Sequence, residues 1–434
     1  MFTNNYSDLT RSLLLAGSLL VLSACSGSNN GSDFSIIDPP PSNQGNPPAT
    51  PVAVMVVAGD DDSGDVQNTI SWALDADATD YTVYWSNAPG VTENSSVVVP
   101  TFSGARYIIH SGADVVAGNT YYYRVRATSA GGDSTLSDEI AGTPQAAVTN
   151  NALNDVAWNG VDTLVAVGDS GVILTSANAT TDPWVDVSLV AAPQPLTGVT
   201  WESVNSQFLI VGAGNTVLTG DGTNWNLEDL GNLPGASNLQ DVAWLGDKYI
   251  AVGNNATILT SNVDGSVWAA QDAGPIPGAT SFNAVAENDD RIVVVGSNGT
   301  VVTSVDAVTW EEQPPVGNNN LNDATWDGSQ FVVVGSNDTV LTSPDGLAWT
   351  AHIPGTADIN LAAVTQFDSG LPQNPVLGAV GSSGTMVLDP DAGPGFIVLT
   401  GTTRMLAGMT WVDDGAGNAY YVIVGSGGTV LTAR

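Results

Sequence analysis

The stretch Phe331–Trp349, FVVVGSNDTVLTSPDGLAW, contains two short apolar runs around one turn, followed by a second turn and a tryptophan. The run FVVV is apolar at successive positions, as a strand covered on both faces must be; alternation would suit a sheet with one face in water. After Gly335, the residues SNDT supply the small polar side chains that a tight hairpin with positive φ requires. In SPDG, Asp345 can accept backbone N–H groups and Gly346 can take the left-handed conformation. Upstream, LNDATW (321–326) reads as an inner strand, and downstream LAWTAHI (347–353) reads as an outer one.

The same order recurs along the chain. Aligned on the dipeptide Val-Gly, glycines stand at Gly168, Gly212, Gly253, Gly296, Gly335, Gly381 and Gly425, spaced 44, 41, 43, 39, 46 and 44 residues apart. Seven copies fill Leu153 to Arg434, and a period near 40 residues made only of strand patterns specifies propeller blades of four strands rather than a helical solenoid. The second turn repeats as GDGTNW (Asp221, Trp225), NVDGSVW (Asp264, Trp268), SVDAVTW (Asp306, Trp310) and SPDGLAW (Asp345, Trp349). It resembles the Asp-box of sialidase-type propellers, shortened by one residue. The whole repeat resembles secreted bacterial propellers of this kind and, more distantly, the photosystem II assembly-factor propeller. That resemblance implies a structural role, with Asp and Trp pinning a turn at the blade edge. Because the chain ends at GGTVLTAR, the last blade has three strands, and an open edge invites aggregation. Gln145–Asn151, QAAVTNN, is the expected donor of the fourth strand.

Between Pro51 and Gln145 the segments NTISWAL, DYTVYWS, SVVVPTF, ARYIIHS and TYYYRVRATSA alternate apolar and polar residues, which marks antiparallel strands. Through Trp72, Tyr84 and GNTYYYRVRATSAGGDSTLS this region resembles a fibronectin type III domain. The resemblance implies an immunoglobulin-like sandwich of seven strands with Trp72 in its core and one of Tyr121 to Tyr123 forming a tyrosine corner. The family's Arg-Gly-Asp adhesion loop is absent. For these aromatics, carbohydrate or protein binding is the sharper alternative to a core role. GDDDSGD, Gly59–Asp65, is expected to be a solvated turn, with Ca²⁺ binding as the alternative.

The N-terminus carries an address. Arg11 precedes SLLLAGSLLVLS (12–23), an apolar stretch too short to span a bilayer and ending in small residues, as an export signal does. Leu22, Ser23, Ala24 and Cys25 resemble the bacterial lipobox, which implies cleavage before Cys25 and its lipidation; Ser26 implies sorting to the outer membrane of a Gram-negative cell. Residues 1–24 are thus a signal peptide. Residues 25–50, rich in Ser, Asn, Gly and Pro, form a flexible tether with an r.m.s. reach of roughly 25–30 Å. With one cysteine in the chain there is no intramolecular disulfide, so stability must come from packing.

Lys and Arg number 8 against 44 Asp and Glu, a net charge of −36, and that field repels nucleic acid and anionic lipid surfaces. The two histidines, His110 and His352, lie in different regions and outside any metalloprotease spacing. The propeller's Arg291, Arg404, Arg434 and Lys248 match no sialidase arginine triad, and the adjacent pairs Glu311 with Glu312 and Asp413 with Asp414 point to opposite faces of a strand. Where the repeats break, blade six inserts Asp368–Pro375 and blade seven Asp413–Tyr420, both between inner and second strand. Irregular loops on a rigid scaffold carry binding, so Asp368, Gln373, Asp413, Asp414 and Tyr420 are the candidate binding-face residues. Together these features specify an all-β chain, a fibronectin type III sandwich (51–145) followed by a seven-bladed propeller (146–434). It is expected to be a monomeric, envelope-anchored lipoprotein that recognises a protein or glycan without catalysis and without a cofactor. A glycan-active hydrolase and a purely structural envelope component are the alternatives.

Overall fold

The computed structural model describes residues 46–98, 106–230, 237–274, 276, 280–352, 358–367, 376–389, 396–413 and 419–434. Cys25, Asp368, Gln373 and Asp414 lie outside them. Among the described residues the chain is all-β, with short 3₁₀ turns and no α-helix.

Seven antiparallel sheets radiate from one axis, led by the inner strands Leu153–Trp158, Leu196–Glu202, Leu239–Trp244, Phe282–Asn288, Leu321–Trp326, Leu361–Phe367 and Leu406–Asp413. Each inner strand packs on the next and the seventh returns to the first, so the ring is closed. The second strands are buried along their whole length, as in Phe331–Gly335 and Leu164–Gly168, because neighbouring blades cover both faces. The repeated Val-Gly has a steric cause. A Cβ on Gly335 would stand 2.2 Å from the carbonyl oxygen of Asn320, and one on Gly168 2.1 Å from that of Ala152. That carbonyl instead accepts the next N–H, from Ser336 at 2.9 Å and Asp169 at 2.8 Å. The hairpins that follow hold Asn337 and Asp338 at φ of 55° and 57°, a conformation Asn and Asp tolerate better than most residues.

The last blade is closed by a different segment from the one expected. Blade seven consists of Leu406–Asp413, Ala419–Gly425 and Val430–Ala433, and its outer strand is β1, Met55–Asp60, from the N-terminal region. Val57 pairs with Ala433 and Ala58 with Thr432, while Val56 and Arg434 exchange backbone hydrogen bonds of 3.2 and 3.1 Å. Beyond β1 the same sheet continues into β2, Val66–Ser71, so blade and N-terminal unit share one six-stranded sheet. Gln145–Asn151 forms no strand. It crosses the blade-seven hairpin, where the Thr149 carbonyl occupies the space a Cβ on Gly428 would need. The segment β1 wins because it serves two cores: Val56 and Val57 are each 1% exposed, Val56 facing the N-terminal core and Val57 the propeller core.

The rest of the N-terminal unit is β3 (Asp80–Ser86), β4 (Ser96–Val98), β5 (Tyr107–Ser111), β6 (Tyr121–Ser129), β7 (Gly132–Asp133) and β8 (Ile140–Gly142). Strand β5 ends the shared sheet, and the others form a second sheet in the order β4-β3-β6-β7, with β8 also on β6. Trp72, Tyr81, Val83, Ile108, Tyr123 and Val125 fill the core between the sheets. Tyr121 is the tyrosine whose hydroxyl turns back on the chain, accepting the Val116 N–H at 2.8 Å.

The acidic turn after β1 is exposed over residues 62–65, as expected of a solvated turn, and it also clips onto the propeller. Asp60, 1% exposed, pairs with Arg404 at 2.9 Å, and the same guanidinium donates to Thr429 Oγ1 at 2.8 Å and to the Asp62 carbonyl at 3.0 Å. The Asp62 carboxylate accepts the Thr403 N–H at 3.0 Å and the hydroxyls of Thr402 and Thr403. Asp61 folds the turn itself, accepting N–H groups of Ser63 at 2.7 Å and Asp65 at 3.0 Å. Burial pushes the Asp60 carboxyl up while Arg404 pulls it back toward ionisation.

Candidate functional site

The propeller axis is lined by the third residue of each inner strand. A register shift after the leading Leu or Phe rotates that residue toward the axis, as between Leu321 and Asp323. Three of the seven are aspartates: Asp155, Asp241 and Asp323, on blades one, three and five. Each carboxylate is bound at both oxygens. Oδ1 accepts the next residue's N–H (Val156 2.8 Å, Val242 2.7 Å, Ala324 2.8 Å), and Oδ2 accepts an N–H of the following blade (Val199 2.8 Å, Val285 2.8 Å, Val364 2.7 Å). The second residue of four inner strands extends the stitching: Asn154, Thr197, Asn283 and Asn322 donate to carbonyls of the next blade's Leu196, Leu239, Leu321 and Leu361 at 2.7–2.8 Å. Burial pushes Asp241 up to about 6. Burial and then the negative charge of Asp241 push Asp323 up to about 7. Asp155 is also raised, again mainly by burial. These three aspartates went unnoticed as a set in the sequence, although LND, LQD and LND at the inner strands were there to align.

At one end of the ring lie the turns between inner and second strands and those between third and outer strands; strand alternation puts both on one face. The four Asp-box-like turns sit here. Asp221 accepts the N–H groups of Thr223 and Asn224 (2.8 and 2.7 Å), Asp306 those of Val308 and Thr309 (2.9 and 2.7 Å), Asp345 those of Leu347 and Ala348 (2.9 and 3.2 Å), and Asp264 that of Ser266 (3.0 Å). These donors hold Asp306 at about 2 and the other three carboxyls below the usual range. Trp225, Trp268 and Trp310 are buried and Trp349 is half-buried against a blade core. Each turn also locks onto the preceding blade: a Cβ on Gly265 would meet Leu209 Cδ1 at 2.8 Å and one on Gly346 would meet Val293 Cγ2 at 2.7 Å.

The same face carries exposed apolar side chains on adjacent blades. Val204, Val263, Val267, Val305, Val308 and Leu347 are between 42% and 69% exposed, and Val161 on blade one is 72% exposed. Neighbouring turns are joined, with Asn205 Nδ2 donating to the Val263 carbonyl at 3.0 Å and Gln207 Nε2 to that of Asp264 at 3.0 Å. Of the insertion residues, Asp413 is exposed at the end of its strand, opposite Ala419. Tyr420 is not on a binding face: it is fully buried between blades seven and one, its hydroxyl donating to Asn178 Oδ1 at 3.1 Å and its ring under the Arg434 guanidinium at 5.1 Å. A large aromatic beside the second-strand run belongs to the core. Glu311 and Glu312 are exposed on an outer strand, and His352 Nε2 is 2.8 Å from Thr342 Oγ1.

No protein-family model matches the chain, and no curated protein does. Solved structures do resemble it in fold. "YCF48 bound to D1 peptide" superposes with a TM-score of 0.53 at 15% identity, covering 66% of this chain and 92% of that one. YCF48 from Cyanidioschyzon merolae gives 0.53 at 15% identity, covering 66% and 96%. The WD40 β-propeller domain of Doa1 gives 0.52 at 9% identity, covering 66% and 93%. At these identities the likeness is one of architecture, and the chain has the fold of a β-propeller.

Proposed function

We propose that the protein is an envelope-anchored scaffold whose propeller recognises a protein partner on the face bearing the Asp-box-like turns, without catalysis or a cofactor. The observation that carries this reading is the concentration of exposed valines and Leu347 on that one face, against Val148, Val190 and Met405 on the opposite face. The axial carboxylates, where a hydrolase would place its acid and base, each have both oxygens committed to backbone N–H groups. The D1 peptide bound to YCF48, a propeller of the same architecture, lends support by analogy. In this reading Cys25 carries the lipid and the tether ends before residue 46, because residues 46–50 dock on the N-terminal unit, where the Ala49 N–H donates to Asp75 at 2.8 Å and the Asn46 carbonyl accepts from Ser129 Oγ at 3.2 Å. The N-terminal unit is a fibronectin type III-like sandwich that both spaces the propeller from the membrane and closes it, and the protein works as a monomer. Photo-crosslinking in the native envelope tests the site. A crosslinker at position 267 or 308 should capture one defined protein, and Val305→Asp should abolish that capture while Val190→Asp leaves it intact; capture unaffected by Val305→Asp overturns the reading.

A further inference from the structure

A groove of about 410 Å³ opens at one end of the N-terminal unit, where the end of β3 meets the loop leading into β6. Its apolar lining is Trp85, Tyr122 and the exposed Val116, with the buried Tyr121 behind them, and its polar lining is Asn87, Asp114, Asn119 and Thr120. We propose that this groove binds a neutral oligosaccharide, stacking a sugar face on Trp85 and engaging hydroxyl groups through Asn87, Asp114 and Asn119.

Three observations carry the proposal. The first is that the wall is built to hold Trp85 still. Its ring lies 4.3 Å from the His110 ring and 5.9 Å from that of Tyr121. His110 is 5% exposed, and its Nδ1 is 2.8 Å from the Tyr123 hydroxyl, which accepts from Asn68 Nδ2 at 2.8 Å. Burial lowers the basicity of His110. A rigid aromatic face ordered from behind costs a stacking ligand little entropy.

The second observation is that the polar groups are free. Many amide and carboxylate side chains of this chain are bonded internally, as in Asn154, Asn283, Asp62 and Asp155. Among the described residues, the exposed side chains of Asn87, Asp114 and Asn119 make no internal hydrogen bond, and neither does the Trp85 indole N–H; Asp114 interacts only through its charge, with His110. Convergent amides and a carboxylate beside aromatic faces suit a ligand that is apolar on its C–H face and rich in hydroxyls at its edge.

The third is charge. Asp114 in the groove and a chain charge of −36 oppose uronic, sialic and phosphorylated sugars. A neutral saccharide is the hydroxylated ligand that escapes this repulsion.

The test uses the whole chain and calorimetric titration with maltohexaose, cellohexaose, mannohexaose and chitohexaose, with oligogalacturonate as the anionic counterpart. At least one neutral oligomer is expected to bind and oligogalacturonate to bind at least tenfold more weakly. Asn119→Ala with Asp114→Ala, both exposed and outside the core, should weaken binding at least tenfold with an unchanged circular dichroism spectrum and melt. Trp85→Ala should abolish it, and Trp85→Phe, which retains a stacking ring, should restore part of it. Absence of binding to all four neutral oligomers, preference for the anionic one, or indifference to the Asn119/Asp114 variant would each overturn the proposal.

Discussion

The five junctions between blades one and six and the two junctions that flank blade seven are built differently. Near the axis, each of the first five is stitched by a side chain of one blade bonded to the backbone of the next: Asp155 and Asn154, Thr197, Asp241, Asn283, then Asp323 and Asn322. The equivalent positions of blades six and seven are Ala362, Ala363, Ala407 and Gly408, which have nothing to donate or accept with. Close packing replaces the stitches there. A Cβ on Gly408 would stand 2.7 Å from Asp155 Cα, and one on Gly378 would meet Met409 Cε at 2.8 Å. Dispersion contacts are as strong as hydrogen bonds in sum, but they fall away with a small separation, so such a junction has to be held shut. The N-terminal unit is attached at these two places. Strand β1 extends blade seven, the Asp60–Arg404 clip grips the connection from blade six, and Gln145 Nε2 donates to the Thr180 carbonyl at 3.4 Å on the blade-one side.

Removing the N-terminal unit is the harshest way to break this comparison. A chain without residues 46–144 would present the Val430–Ala433 edge and the apolar faces of Leu431 and Tyr421 to water. We expect it to elute as aggregate in size-exclusion chromatography and to lack a cooperative melt; a monodisperse chain with the parental melting temperature would show that packing alone closes the ring. Next in size is Arg404→Ala, which strands the buried Asp60 carboxylate, one of whose oxygens already lacks a partner. Breaking such a pair from one side costs about 3–5 kcal/mol. Urea unfolding should show that loss, and adding Asp60→Asn should recover part of it; no recovery would mean Arg404 acts through Thr429 and Asp62 instead.

A stitch should cost less than the clip. Asp323→Asn places an amide NH₂ against one of two N–H donors and is expected to destabilise by about 1–3 kcal/mol at pH 6. It also gives the comparison a pH axis. Burial and the charge of Asp241 push the Asp323 carboxyl up to about 7 in the fold against 3.8 ordinarily, so its ionised form is the one the fold disfavours. The penalty is complete above about pH 8 and is relieved as pH falls from 8 to 5; Asp241, at about 6, adds to the lower part of that window. The turn and clip carboxyls that the fold holds low lose their contribution only below about pH 4, outside this range. His110, whose basicity burial lowers, works in the opposite direction below pH 6.5, which is why the difference between parent and Asp323→Asn is the quantity to measure. That difference should shift toward the parent by on the order of 1–2 kcal/mol between pH 8 and pH 5. A flat difference would place the titrating group elsewhere.

What could be read in advance tracks the range of the interactions. The blades were legible because each is written locally, in an apolar run, a Gly-bearing hairpin and an Asp turn within about 40 residues. Closure was not, because β1 and Val430–Ala433 lie at opposite ends of the chain and pair only in the fold. Its trace was the run MVVAGD, apolar at successive positions where a one-sided strand should alternate. The attachment of the exposed acidic turn GDDDSGD to the propeller was hidden for the same reason: Arg404, Thr402 and Thr403, which neutralise and bind it, stand more than 300 residues away. The apolar face was visible only as single valines, one or two per turn, until the ring brought the turns to one side.

The smallest predicted effect probes the junction between blades seven and one. Tyr420→Phe removes a hydroxyl that donates to Asn178 Oδ1, an oxygen already accepting from the Thr180 N–H at 2.9 Å and the Thr180 hydroxyl at 2.7 Å. Asn178 therefore stays satisfied, and the ring keeps both its packing on Val156 and Leu174 and its place under Arg434. A loss of about 0.5–1 kcal/mol is expected in chemical denaturation, against about 3–5 kcal/mol for Tyr420→Ala, which empties the space. If Phe cost nearly as much as Ala, the junction would depend on its polar bond as the stitched ones do, and the distinction between the two parts of the ring would fail. If both were nearly neutral, closure would rest on β1 and the clip, and Arg404→Ala should then be the variant that opens the ring.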